Sequence, residues 1–332
     1  MHDSLTRLLV CPSCHGALRW EITRRSGAEI EEGRVRCKSC DSHFPVHRGI
    51  GAFLLMEDQR DDLWEETNSQ IEALAKSEPE KIRLLLESPI ETMNPTDLFF
   101  RGLVLDSRRQ YKGAREARDL ALERSYSPEQ RASMSDQMQF VRRQMVGSPG
   151  PVVDLASGMG SLLEVLLPGA DQHFVATDLS PRVLMRDQAV FGEITRGRGM
   201  SYLAFDARHT PFADGSVPTM VTYLGLANVR DPGGLMKELR RVVSGELLAI
   251  NLFYPERRGP NTDAIRQLKL EALMYRKSAL RQFREAGFKV KVENSQNVLS
   301  RPTPKGEILE GAETDSLPVA DTFVEWCTLV AS

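Results

Sequence analysis

The sequence predicts an α/β fold: a doubly wound, mostly parallel sheet, preceded by a small cysteine-paired module and a helical connecting segment. Three observations carry this reading. After Gly147-Ser-Pro-Gly-Pro151, short β-branched runs alternate with helical apolar stripes, the pattern of parallel strands linked by crossover helices. Before that break, residues 57–146 repeat apolar residues at helical spacing. At the N-terminus, four of the five cysteines fall in two Cys-x-x-Cys pairs. The expected organisation is therefore a cysteine module over 1–55, a helical linker or cap over 56–148, and the sheet domain over 149–332.

The first element is defined by Cys11-Pro-Ser-Cys14 and Cys37-Lys-Ser-Cys40, with 22 residues between the pairs. Each pair turns the chain so that both sulfurs face one point, which matches a four-thiolate tetrahedral zinc site. A module this short cannot build a large core, so a structural Zn2+ would supply folding energy. A closed shell of four thiolates carries no chemistry; the module should stabilise or recognise something. His15 and His43 stand beside the pairs and are expected to be bystanders. Cys327 lies in an apolar C-terminal run and reads as inert core.

Next come the helices. Leu63, Ile71 and Leu74 begin one stripe; Ile82, Leu85 and Leu86 make another, ended near Pro89. Leu98–Leu105 and Ala114–Leu122 continue, and Pro128 starts a helix that ends before Gly147. Strands are then expected over 151–155, 173–177, 201–205, 219–224 and 246–252. A helical insert covers about Thr262–Tyr275, and a further helix leads to Gly287 as its C-cap. Residues 289–293 and 319–331 would supply a reversed hairpin that closes the sheet.

The run Val152-Val-Asp-Leu-Ala-Ser-Gly-Met-Gly160 is a buried strand, a small-residue turn and a helix start. Such a turn offers free backbone N–H groups and lets a ligand approach the main chain. A second strand ends in Asp178, whose carboxylate can accept from both hydroxyls of a ribose. A pyrophosphate-binding turn wants a third glycine where Leu163 stands. The turn suits a nucleoside without phosphate. Asp154, Asp178, Asp206 and Tyr223 all fall near carboxyl ends of strands, where ligands bind in open parallel sheets.

Composition narrows the classes. Apolar content of 41% and charged content of 27% are those of a globular chain. No run of about 18 apolar residues suggests a membrane span, and no secretion signal is evident, so a cytoplasmic location is expected. The net charge of −3 excludes binding of a polyanion by overall charge. The charge is uneven, however. Residues 51–100 carry 12 acids and 4 bases, whereas 101–143 carry 10 bases and 6 acids. Arg108, Arg109, Lys112, Arg115 and Arg118 share much of one helix surface. They are either a solvated face with intrahelical pairs such as Glu116 or a landing strip for phosphates.

Four ordered motifs resemble the class I S-adenosylmethionine-dependent methyltransferases, whose fold is Rossmann-like. Val152–Gly160 is similar to their first motif, with Ala156 in place of the usual first glycine. Val175-Ala-Thr-Asp178-Leu-Ser-Pro is similar to the second. Phe205-Asp206-Ala-Arg-His-Thr-Pro211-Phe212-Ala-Asp214-Gly is similar to the third. Gly225-Leu-Ala-Asn228-Val-Arg-Asp-Pro, followed by Glu238-Leu-Arg-Arg-Val242, is similar to the fourth. The resemblance implies that S-adenosyl-L-methionine is the cofactor and that Asp154, Ala156, Gly158, Gly160, Asp178, Leu179, Asp206, Ala207 and Tyr223 surround it. Asp178 would hold the ribose, Asp206 the adenine amino group, and the Ala207 backbone would donate to the adenine. His209 and Tyr223 are the candidate catalytic residues, and Asn228 and Tyr111 could touch substrate. The N-terminal segment, with Phe44-Pro-Val-His-Arg-Gly-Ile50 after the last cysteine, resembles a small family of zinc-ribbon proteins that activate methyltransferases in trans. A ribbon followed by a methyltransferase also resembles bacterial 23S rRNA guanine-N1 methyltransferases, although the connecting segment here is longer.

The expected function is methyl transfer to a small-molecule acceptor, of quinone or natural-product type. Two alternatives stay open. One is an rRNA or tRNA methyltransferase that recognises RNA through the ribbon. The other is a non-catalytic scaffold, since Val217-Pro218 and Val243-Ser-Gly245 depart from the family's strand-four and strand-five patterns. A protein partner could also meet the ribbon. Replacing Asp178 by Ala is expected to lower cofactor affinity and leave stability near unchanged.

Overall fold

A computed structural model of the chain describes residues 1–55, 63–195 and 200–332. The helical expectation from residue 57 reaches into 56–62, which lie outside the described residues. A 3₁₀ turn (Asp3–Arg7) leads to four strands, β1 (Leu18–Ser26), β2 (Glu29–Cys37), β3 (His43–His47) and β4 (Ile50–Ala52), each antiparallel to the one before. Five helices follow: α1 (Leu63–Ser77), α2 (Pro79–Glu87), α3 (Pro95–Ser107), α4 (Tyr111–Ser125) and α5 (Pro128–Gln144). Their starts are written locally. Asn94 caps α3 by accepting from the Thr96 N–H, and Ser127 and Gln130 form a reciprocal capping box on α5. Each such cap contributes about 1 kcal/mol.

The chain then alternates β5 (Val152–Asp154), α6 (Ser161–Leu166), β6 (Phe174–Asp178), α7 (Pro181–Thr195), β7 (Met200–Ala204), β8 (Val217–Tyr223), α8 (Pro232–Val242) and β9 (Val243–Phe253). Three helices, α9 (Pro260–Gln267), α10 (Glu271–Met274) and α11 (Arg276–Glu285), precede the hairpin of β10 (Val290–Ser300) and β11 (Thr322–Ala331). Gly287 follows the end of α11 at φ 94°, the left-handed conformation of a C-terminal glycine.

Two features differ from the expectation. The first strand of the hairpin runs to Ser300, well beyond residue 293, and 301–321 form a long connection before β11. That connection is held from the helical segment. The buried Asp97 carboxylate accepts from the backbone N–H groups of Glu307 (2.9 Å), Ile308 (2.9 Å) and Leu309 (3.1 Å). Nothing local in 301–321 signals an anchor that lies some 210 residues away in sequence.

The second difference concerns the N-terminal strands. They do not form a sheet of their own. Among the described residues, one sheet of 11 strands runs in the order β1-β2-β3-β4-β7-β6-β5-β8-β9-β11-β10. β4 pairs in parallel with β7, Ile50 beside Tyr202, and the Phe53 N–H continues the ladder to the Ala204 carbonyl at 2.7 Å. A second seam joins Leu8–Val10 to the segment after β7: Val10 N–H donates to the Pro211 carbonyl (2.7 Å) and Ala213 N–H to the Leu8 carbonyl (2.8 Å).

One apolar core spans the junction. It unites Leu5, Cys11, Phe44 and Phe53 with Leu203, Phe205 and Phe212 on one face of the sheet. Phe44, Phe53 and Phe212 are fully buried, each worth roughly 1.5–3 kcal/mol. On the other face Val141 of α5 and Met145 just after it pack against Val152, Leu163 and Phe174. A third cluster, including Ile82, Leu85, Leu98 and Leu103, joins the helical segment to Leu309 of the 301–321 connection. No helix among the described residues is long and apolar enough to cross a membrane.

Candidate cofactor cavity and metal centre

The loop before β1 and the turn after β2 bring Cys11, Cys14, Cys37 and Cys40 together, with all four sulfurs within 4.8 Å of one another. Cys11 Sγ lies 3.6 Å from Cys40 Sγ, and Cys14 Sγ lies 3.5 Å from Cys37 Sγ. Four sulfurs on a tetrahedral zinc at about 2.3 Å would stand about 3.8 Å apart, so the cluster fits that ion. Cys11 and Cys37 face the core while Cys14 and Cys40 are exposed. Among the described residues His15 and His43 are not members of the group. The seams described above carry the ribbon's order to the segment after β7.

A cavity of about 320 Å3 opens beyond the carboxyl ends of β5, β6 and β8, at the small end of the usual range for small-molecule clefts. Ala156, Ser157, Gly158, Met159 and Ser161 form one wall. Asp178 and Leu179 form the next, then Phe205, Asp206, Ala207 and Arg208, and finally Tyr223, Leu224, Gly225, Asn228, Val229 and Arg230. Trp64 of α1 adds a wall from the helical segment.

The turn after β5 is left-handed at three positions: Ala156 (φ 53°), Gly158 (φ 53°) and Gly160 (φ 75°). The two glycines serve different ends. A Cβ on Gly158 would stand 3.7 Å from the Trp64 ring, ordinary contact across the cavity. A Cβ on Gly160 would stand 2.5 Å from the Phe191 ring, an overlap. Gly160 is accordingly absent from the cavity wall; it lets α6 start over the core.

Asp178 is buried at the end of β6. One carboxylate oxygen accepts from the Gly158 N–H and the other from the Ser180 N–H, both at 3.0 Å. It therefore shapes the glycine turn and starts α7 as well as facing the cavity. Asp206 accepts from Arg208 through the backbone N–H (2.8 Å) and the guanidinium (Nη2 at 2.5 Å). Burial opposes its charge, and the Arg208 bonds outweigh burial, holding the carboxyl below its ordinary range. The loop beyond is clasped by α8: Glu238 accepts from both the Thr210 N–H and hydroxyl at 2.8 Å, and Arg241 bridges Glu238 to Asp214 at 2.6 Å on each side.

Asp154 does not line the cavity. β5 buries it beneath the turn at 1% exposure, with no hydrogen-bond partner on either carboxylate oxygen among the described residues. Burial first, then the neighbouring carboxyls of Asp187 and Asp178, push it well above its ordinary range. Burial likewise pushes Asp187 up to about 8, against the pull of Arg186. Arg186 donates to the Met159 carbonyl (2.7 Å) and to Asp187 (2.8 Å), and lies 3.5 Å from Asp106 on α3. Asp106 in turn pairs with Arg118 of α4, both partly buried. A chain of buried and partly buried charges thus ties the helical segment to the glycine turn.

His209 is not brought to the cavity either. Its N–H closes a turn onto the Asp206 carbonyl at 2.8 Å, and Arg208 is the residue presented instead. Tyr223 and Asn228 line the cavity; Tyr111, at the start of α4, does not. Trp64, Met159, Arg208 and Arg230 were not among the expected residues. Arg208 and Arg230 sit inside two of the quoted motifs and could have been weighed from them. Trp64 gives no local signal. The basic stripe divides: Arg118 is internal, Arg115 pairs with Glu164 (3.3 Å), and Arg108, Arg109 and Lys112 are exposed.

The comparisons with known proteins agree with this geometry. Residues 153–246 match the methyltransferase-domain family, and residues 2–49 match the family of Trm112p-like proteins. Among solved structures the chain is similar to the YcgJ protein of Bacillus subtilis, at 13% identity and TM-score 0.46 over 59% of this chain and 97% of that one. A putative methyltransferase of Bacillus halodurans gives 19% identity and TM-score 0.42 over 59% and 98%. Geranyl diphosphate C-methyltransferase of Streptomyces coelicolor gives 16% and 0.44 over 59% and 75%. No curated protein matches the chain. The family matches and the four-cysteine cluster agree: residues 153–246 are a methyltransferase domain, and residues 2–49 are a Trm112p-like segment whose four cysteines could hold a zinc ion.

Proposed function

We propose that this methyltransferase acts on a small-molecule acceptor and holds its cofactor in the cavity between the glycine turn and Tyr223. The observation that carries the reading is the far wall. Beyond Asp178 the cavity is bounded by Trp64, Tyr223, Leu224 and Val229, with Asn228 and Arg230 as the polar groups beside them, a largely apolar and aromatic wall that suits a compact organic acceptor. The basic stripe, which would favour RNA, is in part consumed by pairs inside the protein.

The residues fit S-adenosylmethionine. Asp178 presents a carboxylate for the ribose hydroxyls, and Gly158 keeps the main chain approachable for the methionine portion. Asp206 is already bonded to Arg208, yet a carboxylate offers about four acceptor sites, and Ala207 beside it lines the wall. Asp154 does not touch the cavity; it supports the turn from below. When bound, the cofactor supplies an electrophilic methyl group. The protein's part is to align donor and acceptor and exclude water, and the aromatic wall serves both ends.

The test uses S-adenosylmethionine carrying a tritiated methyl group, incubated with the zinc-loaded protein and either total RNA or a small-molecule extract. Label is expected in the small-molecule fraction. Label confined to RNA would transfer the proposal to the ribbon and to Arg108, Arg109 and Lys112.

A further inference from the structure

The ribbon joins the sheet along one side only. β4 pairs with β7, whereas β1 is the last strand at that end of the sheet, with β2 as its single neighbour among the described residues. The register with β2 runs unbroken from Leu18 to Ile22, opposite Cys37 to Gly33, and then shifts between Ile22 and Arg24. Among the described residues no other segment bonds to the main chain of 18–22. Such an edge presents unpaired N–H and C=O groups, a ready template for another strand.

The stretch reads Leu18-Arg19-Trp20-Glu21-Ile22. Leu18, Trp20 and Ile22 pack against the core yet stay half-buried, and the Trp20 ring stands edge-on to Phe53 with centroids 6.2 Å apart. Arg19 and Glu21 alternate with them on the solvent face, with side chains 71% and 51% exposed.

This order is its own complement when reversed. Residues directly opposed in an antiparallel pair share a face and interact. With the pair centred on Trp20, Leu18 of one copy meets Ile22 of the other, Trp20 meets Trp20, and Arg19 meets Glu21 at both ends. Centring on Glu21 or on Arg19 instead sets like charges against each other. A slip of one residue sets the charged row against the apolar row. Beyond Ile22 the register shift bends the strand, and Arg24 and Arg25 are taken up by Glu31, Glu32 and Asp3. The complementary stretch therefore coincides with the regular part of the edge, and a two-fold pairing of this kind closes at two chains.

We propose that β1 is a homodimerisation edge: two copies pair antiparallel through residues 18–22 about a two-fold axis at Trp20, so that one sheet continues from ribbon to ribbon. The partner is a second copy of this chain because the edge matches its own sequence on both faces, in charge and in apolar surface. β2, β3 and β4 lie between this edge and β7, so assembly leaves the cofactor cavity as it is. The seam is short beside a standard interface, and a dissociation constant in the micromolar range follows.

The test is sedimentation equilibrium of the zinc-loaded full chain across the micromolar range, where a monomer–dimer equilibrium is expected. Arg19→Glu and Glu21→Arg each place like charges opposite one another at both ends of the seam, and each should weaken dimerisation by about tenfold. The variant carrying both changes restores opposite charges and should recover the parent's dissociation constant. Both side chains are exposed, so melting temperature at dilute concentration and S-adenosylhomocysteine affinity should hold in all three variants. A chain that stays monomeric across the range, or single variants that dimerise as well as the parent, would overturn the edge. A folded double variant that fails to recover the dimer would overturn it too.

Discussion

The cysteine cluster and the glycine turn are both tight bends, and they work in opposite ways. The ribbon converges side chains: four sulfurs lie within 4.8 Å, a set that would close around one metal ion. The turn clears side chains away: Ala156, Gly158 and Gly160 bend left-handed so that main chain faces the cavity. One site is closed and structural, the other open and chemical. They are nevertheless parts of one sheet, because β4 pairs with β7 and Leu8–Val10 pair with the loop that carries Asp206 into the cavity. The lesson is that the ribbon's order is built into one wall of the cofactor site.

The largest effect should come from breaking the ribbon. Removal of zinc by a chelator, or Cys37→Ser, should cost several kcal/mol, since structural zinc contributes on the order of 10 kcal/mol of apparent binding energy in small modules. Thermal unfolding should shift down strongly, and S-adenosylhomocysteine affinity should fall with it as the Asp206 loop loses its seam. A metal-free chain with unchanged melting and affinity would separate the two regions that the sheet joins.

The next comparison lies within the turn. Gly160→Ala should destabilise by about 3 kcal/mol, combining a left-handed backbone with overlap on Phe191. Gly158→Ala should cost about 1 kcal/mol, because its Cβ meets only ordinary contact. Chemical denaturation of the two variants decides it, and equal costs would mean the packing difference is unimportant.

Asp178→Ala should weaken S-adenosylhomocysteine roughly 10- to 100-fold, the value of one or two charged hydrogen bonds. The sequence led to an expectation of unchanged stability. The structure corrects it, because Asp178 also holds the Gly158 and Ser180 N–H groups, so a loss of about 1 kcal/mol should accompany the affinity change. Calorimetry and melting on one variant would show whether the two effects travel together.

The smallest effect concerns Asp154. Its carboxyl is raised in the fold, chiefly by burial, whereas the unfolded chain titrates near pH 4. The retained proton favours the fold below about pH 4, and that contribution is lost as pH rises toward the raised value. Asp154→Asn keeps a neutral group at every pH. The variant should therefore match the parent near pH 4 and become the more stable of the two as the pH rises above it. A parallel pH profile for both proteins would show that Asp154 is ionised after all.

Much of this was legible in the residues. Cysteine spacing reports a tetrahedral site directly, because the ligands are the signal. The alternation after Pro151 gives the parallel strands, since each needs both an apolar run and a crossover helix. Ala156, Gly158, Asp178, Leu179, Asp206, Ala207 and Tyr223 do reach the cavity wall, while Asp154, Gly160 and His209 do not. Those three differ because a motif fixes the path of the chain and not which side of it faces the ligand. Trp64 and Asp97 were invisible for another reason. Each acts on a partner about 90 or more residues distant, and no local pattern encodes such a meeting. The merging of ribbon and core into one sheet is of the same kind, as β4 has only three residues and takes its partner from β7.

The most direct measurement is calorimetric titration of the zinc-loaded chain with S-adenosylhomocysteine and, separately, with NAD+. The account predicts one site per chain for the first and none for the second, because Leu163 stands where a pyrophosphate turn needs glycine. Binding of NAD+ without S-adenosylhomocysteine, or of neither, would contradict it.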